Sequence, residues 1–309
     1  MDKSTRNSIQ RATQVGRTLL ERAFSAQLEG TFDILLDGTI SEQAGSHLSD
    51  RQKVVREKLL AVMAHKCSTG LNAEAAVQAY LREAAFTTLN RFVALKMLEA
   101  RQLVQECVSK GEDSSGFKEF TALAPGLVAI EDKGYRLYIG TLLDEIGQEV
   151  KVLFDRRDVA SLLWPDRQAL RELLDILNAP ELASVWTEDE TIGWVYQYFN
   201  GDEERTQMRE ESQAPRNSRE LAVRNRFFTP LYVVQFLTDN TLGRIWYEMM
   251  QGKSKLAHLD YLVRRPNEIF LAEEESAPQS EMEDNDLSRE ELLQQAVYTP
   301  FREKKDPRC

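Results

Sequence analysis

The sequence has few of the residues from which metal sites and disulfide networks are built. It contains three cysteines and three histidines among 309 residues. Cys67, Cys107 and Cys309 are far apart and odd in number, which argues against a disulfide framework and fits a reducing compartment. His65 and Cys67 form the one close pair of ligand types. Because a structural zinc ion needs four clustered ligands, we expect no metal site.

Long apolar runs are also absent. No stretch of about 18 apolar residues occurs, and the beginning of the chain is too charged for an export signal. We therefore expect no membrane insertion and, by default, a cytoplasmic location. The hydrophobic content of 42% fits a folded chain, and its length suggests about two domains, each with its own core.

Basic residues are in deficit, with 39 Lys and Arg against 50 Asp and Glu, for a net charge of −11. Freestanding nucleic-acid binders are usually basic. The charge is unevenly distributed, however, because acids gather in Glu273–Glu291 and arginines gather between Arg205 and Arg226. The arginines could meet DNA phosphates, or they could form a solvated helix face paired with neighbouring glutamates. The candidate DNA contacts are Arg216, Arg219 and Arg224.

Familiar catalytic signatures are missing too. The sequence contains no G-x-x-x-x-G-K-[ST] or G-x-G-x-x-G phosphate loop and no G-x-S-x-G nucleophile elbow. Three histidines are too few to support a credible Ser/His/Asp or Cys/His set. Residue types alone therefore identify no active site.

What the sequence does contain is helical periodicity. Apolar residues recur at spacings of three and four from Thr5 to Leu28, and again behind the candidate caps Ser49 and Asp50. No glycine or proline interrupts Ala73 to Val104, which predicts a long, central helix. Strand-like alternation is scarce, so we expect a mainly α fold.

Other cap signals and three polar residues refine this helical pattern. Asp166 is a candidate N-cap, and Thr187 with Glu190 forms a capping box that predicts a helix start near Glu188. The central helix also carries polar residues within a core-like run. They either have buried partners or mark a helix edge that faces water. These residues are Asn90, Arg91 and Lys96.

A polar stretch from Gly201 to Ser218 includes Pro215 and predicts a linker. We place the principal boundary there, with a helical N-terminal domain at 1–214 and the start of a second domain at 215–309. Within the second, the acidic, weakly hydrophobic segment at about 272–287 predicts a flexible loop. A short helix is expected at 288–297.

The stretch from Asn225 to Trp246 predicts a helix with a well-defined start. Thr229 is a good N-cap, Pro230 fits the first helical turn, and apolar residues follow at helical spacing. Two phenylalanines, Phe227 and Phe228, precede the cap as a short extended run. Taken alone, this pattern is typical of an ordinary helix entry.

Three segments in a fixed order give the pattern further meaning. They are LNRFVALKMLEAR, DETIGWVYQYFN and RNSRELAVRNRFFTPLYVVQFLTDNTLGRIW. Together they resemble the N-terminal part of adenine-specific DNA methyltransferases of the restriction-modification type, and most closely those of BREX (bacteriophage exclusion) defence systems. RRPNEIFL and VLFDRRDVASLLWP extend the resemblance over nearly the whole chain.

The resemblance implies a role for the Phe-Thr-Pro sequence. In these enzymes it opens the motif X helix, the first helix of an α/β domain that binds S-adenosylmethionine. Phe228, Thr229 and Pro230 would then line the cofactor site, with Thr229 meeting the methionine carboxylate. A helix N-terminus favours such an anion. The resemblance further implies DNA as the substrate and other BREX proteins as partners.

The sequence also departs from that family. Its members follow motif X with a D-P-A-C-G-S-G-like cofactor loop and an N-P-P-[YF] motif that holds the extruded adenine, and neither occurs here. Positioning of base and cofactor depends on those elements. We therefore expect a truncated methyltransferase domain that is inactive alone and awaits a downstream methyltransferase polypeptide. The alternatives are a non-enzymatic DNA- or partner-binding subunit of a split defence protein, and a truncated remnant.

Overall fold

The computed structural model of the chain is mainly helical, as the sequence predicts. It describes residues 3–41, 43–128, 134–200, 202–216, 218–225, 228–250, 260–263, 268–271 and 297–300. The long helices are α1 (Lys3–Gly30), α2 (Asp50–Ser68) and α3 (Ala73–Ala100). They are followed by α4 (Ser115–Leu123), α5 (Pro125–Val128), α6 (Gly134–Ile146), α7 (Lys151–Phe154), α8 (Arg167–Leu177), α9 (Thr191–Phe199), α10 (Asp202–Glu211) and α11 (Ser218–Asn225).

The remaining elements are α12 (Leu231–Thr238), a π-helical turn at Asp239–Gly243, α13 (Arg244–Met249), and the strands β1 (Glu268–Leu271) and β2 (Val297–Pro300). The two strands pair in parallel, from Glu268 opposite Val297 to Leu271 opposite Pro300. A parallel pair needs a crossover of a dozen or more residues, and the intervening chain is long enough for one. None of the helices in the described ranges is long and apolar enough to cross a membrane.

Contacts between residues divide the chain into two compact units, Met1–Phe228 and Thr229–Cys309. The predicted domains at 1–214 and 215–309 stay a prediction. The predicted acidic loop at 272–287 lies outside the described residues. So does the predicted helix at 288–297, apart from Val297, which begins β2.

The first unit is built around α1 and α3. Helix α1 packs against α3, α8 and α9, while α3 also contacts α2 and α7. Every residue of α3 from Thr88 to Met97 is buried. A helix that is buried on all sides belongs at the centre of a core, and this placement explains why its apolar residues are not confined to one face.

The three polar residues of α3 are buried and have partners, so the alternative of a water-facing helix edge is wrong. Asn90, Arg91 and Lys96 expose only 4%, 6% and 7% of their surfaces. The Arg91 guanidinium donates to the carbonyls of Leu153 and Asp155 and to a serine hydroxyl. Its partners are 62–70 residues away in sequence, so Arg91 ties α3 to α7 and to the segment that follows it.

Lys96 is bonded in a similar way. Its ammonium donates to Asn178 Oδ1 at 2.7 Å and to the Ser109 hydroxyl, and it lies 3.6 Å from the Glu99 carboxylate. Glu99 in turn accepts the backbone N–H groups of Cys107, Val108 and Ser109. Buried charges need such compensation, and this network fixes the loop after α3.

In the first unit, the predicted caps Ser49 and Asp166 are confirmed, and the predicted cap Thr187 is wrong. Ser49 caps α2 in a capping box with Gln52, and Asp166 caps α8 through the amide of Ala169. Helix α9, however, begins at Thr191 rather than near Glu188, without a side-chain cap. Its predicted cap Thr187 ends a preceding 3₁₀ turn and donates its hydroxyl to Ser184 O, so it cannot serve the later helix.

Candidate functional site

Phe228, the first of the predicted cofactor residues, is held by helix α9. Its ring lies 5.3 Å from that of Trp194, and its backbone amide donates to Gln197 Oε1 at 2.7 Å. Gly193 makes room for it, because a Cβ atom on Gly193 would come within 2.0 Å of Phe228 Cε2. Phe228 is therefore the last residue of the first unit, seated on an aromatic helix.

Thr229 and Pro230 are the first residues of the second unit, and the predicted cap there is wrong. The N-cap position of α12 is Pro230, with φ −57° and ψ 146°, and the helix has no side-chain cap. The amides of Val233 and Val234 donate to the Pro230 carbonyl. Because an N-cap side chain reaches only the second or third helical amide, Thr229 lies one residue too early to cap. Its side chain is exposed.

Helix α12 and its continuation carry an unusually apolar exposed surface. No residue of α12 is buried, although most of its side chains are apolar. The exposed large side chains continue through the π-helical turn into α13, where Leu242 is 72% and Met249 70% exposed. They are Leu231, Tyr232, Val234, Phe236, Leu237, Leu242, Ile245, Trp246, Met249 and Met250. We call this set the α12–α13 face.

The π-helical turn holds a separate short segment, 260–263. Asn240 donates to Tyr261 O at 2.7 Å and accepts the amide of Val263 at 2.8 Å, while the buried Asp239 accepts the amide of Tyr261. Arg244 donates to Val263 O at 2.9 Å. A π-helical turn changes the register of side chains around a helix, and such turns often accompany functional sites. Here it aims polar side chains at one short segment that begins as a turn.

Two of the three predicted DNA contacts, Arg216 and Arg224, already have partners inside the protein. Arg216 lies 2.6 Å from both Glu211 and Glu220, and these carboxylates raise its pKa. Arg224 is buried, and its guanidinium donates to the carbonyls of Met208, Ser212 and Gln213. The side chain of Arg219 lies outside the described residues. The pairing with glutamates weighed as the alternative is what Arg216 adopts, and the role of all three in binding DNA stays a prediction.

Sequence reasoning missed the residues that position this region. Gly193 and Gln197 place Phe228, and Asn240 with Asp239 holds the 260–263 segment. The first pair gave a weak signal, since a glycine inside an aromatic-rich helix requires a packing reason. Asp-Asn within an apolar helix was a second signal, because both residues favour caps and turns over helix interiors.

Comparison with known proteins returns two methyltransferases. The chain is 20% identical over 203 residues to "Adenine-specific methyltransferase PglX" of Lacticaseibacillus casei (strain Zhang), covering 56% of this chain and 17% of that protein. It is 28% identical over 111 residues to "Adenine-specific methyltransferase BrxX" of Escherichia coli O9:H4 (strain HS), covering 34% of this chain and 8% of that protein. No family profile matches the chain.

These matches confirm the resemblance to adenine-specific methyltransferases, over 56% and 34% of the chain rather than nearly all of it. They also set its extent, since the chain spans less than a fifth of either relative.

Proposed function

We propose that this chain forms the N-terminal helical part of an adenine-specific DNA methyltransferase of the BREX type. In the complete enzyme the methyl group of S-adenosylmethionine would pass to the exocyclic amine of adenine. The observation that carries the proposal is the similarity to two proteins named as adenine-specific methyltransferases. A cytoplasmic location, where both DNA and cofactor are present, follows from this function.

The α12–α13 face supports the proposal. Ten large, exposed apolar side chains within 20 residues are unusual on a protein that acts by itself and are typical of a segment that another structure covers. A methyltransferase body packed on α12 would remove these side chains from water. The parallel pairing of β1 and β2 is also what the edge of an α/β domain requires.

Phe228, Thr229 and Pro230 are the proposed contribution to the cofactor site. With its ring packed on Trp194, Phe228 would act mainly by fixing the chain ahead of α12. Thr229 is exposed just before the helix and is not used as a cap, so its hydroxyl would remain available to the carboxylate of the cofactor. The dipole of α12 favours a negative charge at the same end.

The proposal includes catalytic incompleteness. The sequence has no D-P-A-C-G-S-G-like loop and no N-P-P-[YF] motif, and none of its nine prolines are adjacent. An adenine must leave the duplex and be held with its amine in line with the methyl donor. Without those groups the contribution of positioning, on the order of several kcal/mol, is missing. A segment that carries them, in the same polypeptide or in another, would complete the site.

Calorimetry with S-adenosylmethionine tests the incomplete pocket. The purified chain should release no binding heat at micromolar cofactor concentrations. A mixture with a polypeptide that carries the two missing motifs should bind, and replacing Thr229 by Val should weaken that binding while leaving the thermal stability of the chain unchanged. Tight binding by the chain alone would contradict the proposal.

A second function remains open, a non-enzymatic subunit that binds DNA or a partner protein, because the α12–α13 face would suit a partner of any activity. Pull-down on the chain separates the two. Recovery of a polypeptide with the cofactor loop favours the methyltransferase, and recovery of a partner without it favours the subunit. The absence of any partner and of cofactor binding would instead indicate a remnant.

DNA contact by Arg216, Arg219 and Arg224 is part of the proposal. Arg216 would have to exchange two carboxylates for a phosphate, and Arg224 would have to leave a buried position. Replacing Arg216 and Arg219 by Ala should weaken binding to DNA and reduce its dependence on salt if these residues meet phosphates. Unchanged affinity would assign Arg216 to its two glutamates alone.

A further inference from the structure

A second group of arginines lies elsewhere in the first unit, around Trp164. The guanidinium of Arg136 lies over the indole ring of Trp164, with Cζ 5.3 Å from the ring centroid. Trp164 also contacts an aromatic residue of the core, since the centroid of the Phe92 ring is 5.9 Å from that of the indole. The indole thus gives Arg136 a fixed platform at the edge of the core.

Arg156, which follows α7, lies against the face of α6 that carries Arg136. Residues 136 and 140 are one turn apart on that helix, so they point in the same direction. A Cβ atom on Gly140 would lie 2.5 Å from Arg156 Nη1 and 2.9 Å from its Cζ. Gly140 therefore leaves space for the guanidinium of Arg156 to lie across α6, one helical turn from the position of Arg136.

Arg51 completes the group from α2. It is the second residue of that helix, which contacts the 3₁₀ turn at Val159–Ser161 that leads to Trp164. Desolvation lowers the pKa of Arg136, and the charges of Arg51 and Arg156 lower it further. Arg51 and Arg136 also lie in the first turns of their helices, where the helix dipole adds positive potential.

Among the described residues, the neighbouring acids neutralise one of the three arginines, Arg156, and leave the other two without a counter-charge. Asp144 is bonded to Arg156 at 2.8 Å, and Asp155 to Arg157 at 3.1 Å. Among the described residues, neither Arg51 nor Arg136 forms an ion pair. Like charges drawn together without a counter-charge cost free energy, and an anion placed between them would recover it. All three arginines are exposed and can be reached by a ligand.

We propose that Arg51, Arg136 and Arg156, with Trp164 beneath Arg136, form a binding site for backbone phosphates of a nucleic acid. Guanidinium groups match phosphate geometry, and a stacked arginine loses little freedom when it binds. The site differs from Arg216 and Arg224, whose guanidiniums are occupied by carboxylates and carbonyls, because Arg51 and Arg136 form no ion pair among the described residues. That the phosphates come from nucleic acid rests on the proposed function.

Fluorescence anisotropy with a labelled duplex of about 20 base pairs tests the site. Replacing both Arg51 and Arg136 by Ala should weaken binding about tenfold or more and reduce the salt slope by about two, one for each lost phosphate contact. The matched control replaces Lys3 and Arg11, both exposed on α1, by Ala, with the same change in net charge, and should weaken binding less than about twofold. Arg11 is about 24 Å along α1 from Gln27, whose amide bonds the Trp164 carbonyl.

Further variants and ligands distinguish binding of DNA phosphates from structural damage and from binding of free phosphate compounds. Arg136→Lys keeps the charge and should retain most of the affinity. The double alanine variant should unfold at the same temperature as the wild type or higher, because it relieves repulsion between like charges. Equal loss in the cluster and control variants, no binding of duplex by the wild type, or binding of inorganic pyrophosphate without DNA would each overturn the proposal. Loss of cofactor binding or methyl transfer affects only the proposed function, since anisotropy measures neither.

Discussion

At the scale of single residues, Gly193 controls the placement of Phe228. The aromatic ring occupies the space that any side chain at position 193 would need. Trp194 and Gln197 on the same helix then hold the ring and the backbone amide of Phe228. The absence of a side chain at position 193 thus allows Phe228, the last residue of the first unit, to pack on α9.

Gly193→Ala should therefore displace Phe228. We expect destabilisation of about 1–3 kcal/mol, the usual cost of overpacking a well-packed contact. Urea unfolding followed by tryptophan fluorescence measures it, and the native emission should also change because Phe228 lies beside Trp194. Gly30→Ala is the control, since a Cβ atom there has no neighbour within 4 Å. Equal stability of the two variants would show that Phe228 does not depend on Gly193.

Glu99 is the second residue with a measurable role. Burial opposes its ionisation, but hydrogen bonds from the Ser109 hydroxyl and from the amides of Cys107, Val108 and Ser109 outweigh burial and lower its pKa below 4.5. A carboxyl whose pKa is lower in the folded state stabilises the fold above its unfolded pKa. That stabilisation is lost as the pH falls through the folded pKa.

Glu99→Gln should destabilise the protein by about 1–3 kcal/mol near neutral pH, because several buried donors lose a charged acceptor. The difference between wild type and variant should shrink as the pH falls below about 4.5. Denaturant titrations across that range measure it, with Glu57→Gln, an exposed change on α2, as the control. A difference that is constant with pH would exclude the ionised carboxylate as the cause.

At the scale of elements, the sequence predicted the positions of helices better than it predicted the contacts that their residues make with distant segments. Periodicity and the local caps Ser49 and Asp166 located helices correctly, because those signals depend on residues within one turn. The cap at Thr229 failed by one residue, since the extended backbone at Pro230 delays the helix. The partners of Arg91 lie more than 60 residues away, and no local pattern could identify them.

The candidate site was predictable only in part for the same reason. The position of the Phe-Thr-Pro sequence at the start of a helix follows from proline chemistry. The packing of Phe228 on α9 could not be predicted, because its amide bonds Gln197, which is 31 residues away in sequence. The two parallel strands were missed because they are too short to show a clear alternation of apolar and polar residues. Register and partners depend on tertiary contacts that a single sequence does not display.

Asn240 connects the π-helical turn to the 260–263 segment, and replacing it tests that connection. Asn240→Ala removes two of the hydrogen bonds to the 260–263 segment, those with Tyr261 O and the Val263 amide, so the segment should loosen although Asp239 still accepts the Tyr261 amide. Hydrogen exchange at the amide of Val263 should become at least tenfold faster, because its acceptor is lost. Thr241→Ala serves as the control, since its hydroxyl bonds only within the helix, to Leu237 O. Unchanged exchange in Asn240→Ala would assign the segment to other contacts.

At the scale of the whole molecule, the two units differ in how far their apolar side chains are buried. The first has an extensive hydrophobic core centred on α3. In the second, α12 has no buried residue, and the large apolar side chains that follow it are mostly exposed. A net charge of −11 would repel DNA at long range, so binding would rely on local arginine groups and be sensitive to salt.

The central claim is that this chain is a working part of an adenine-specific DNA methyltransferase. The most direct test is to map N6-methyladenine in the source genome by single-molecule sequencing, with the gene for this chain intact, deleted and restored. We predict that methylation at one sequence motif disappears in the deletion strain and returns with the wild-type gene. An unchanged pattern of adenine methylation after deletion would contradict the account.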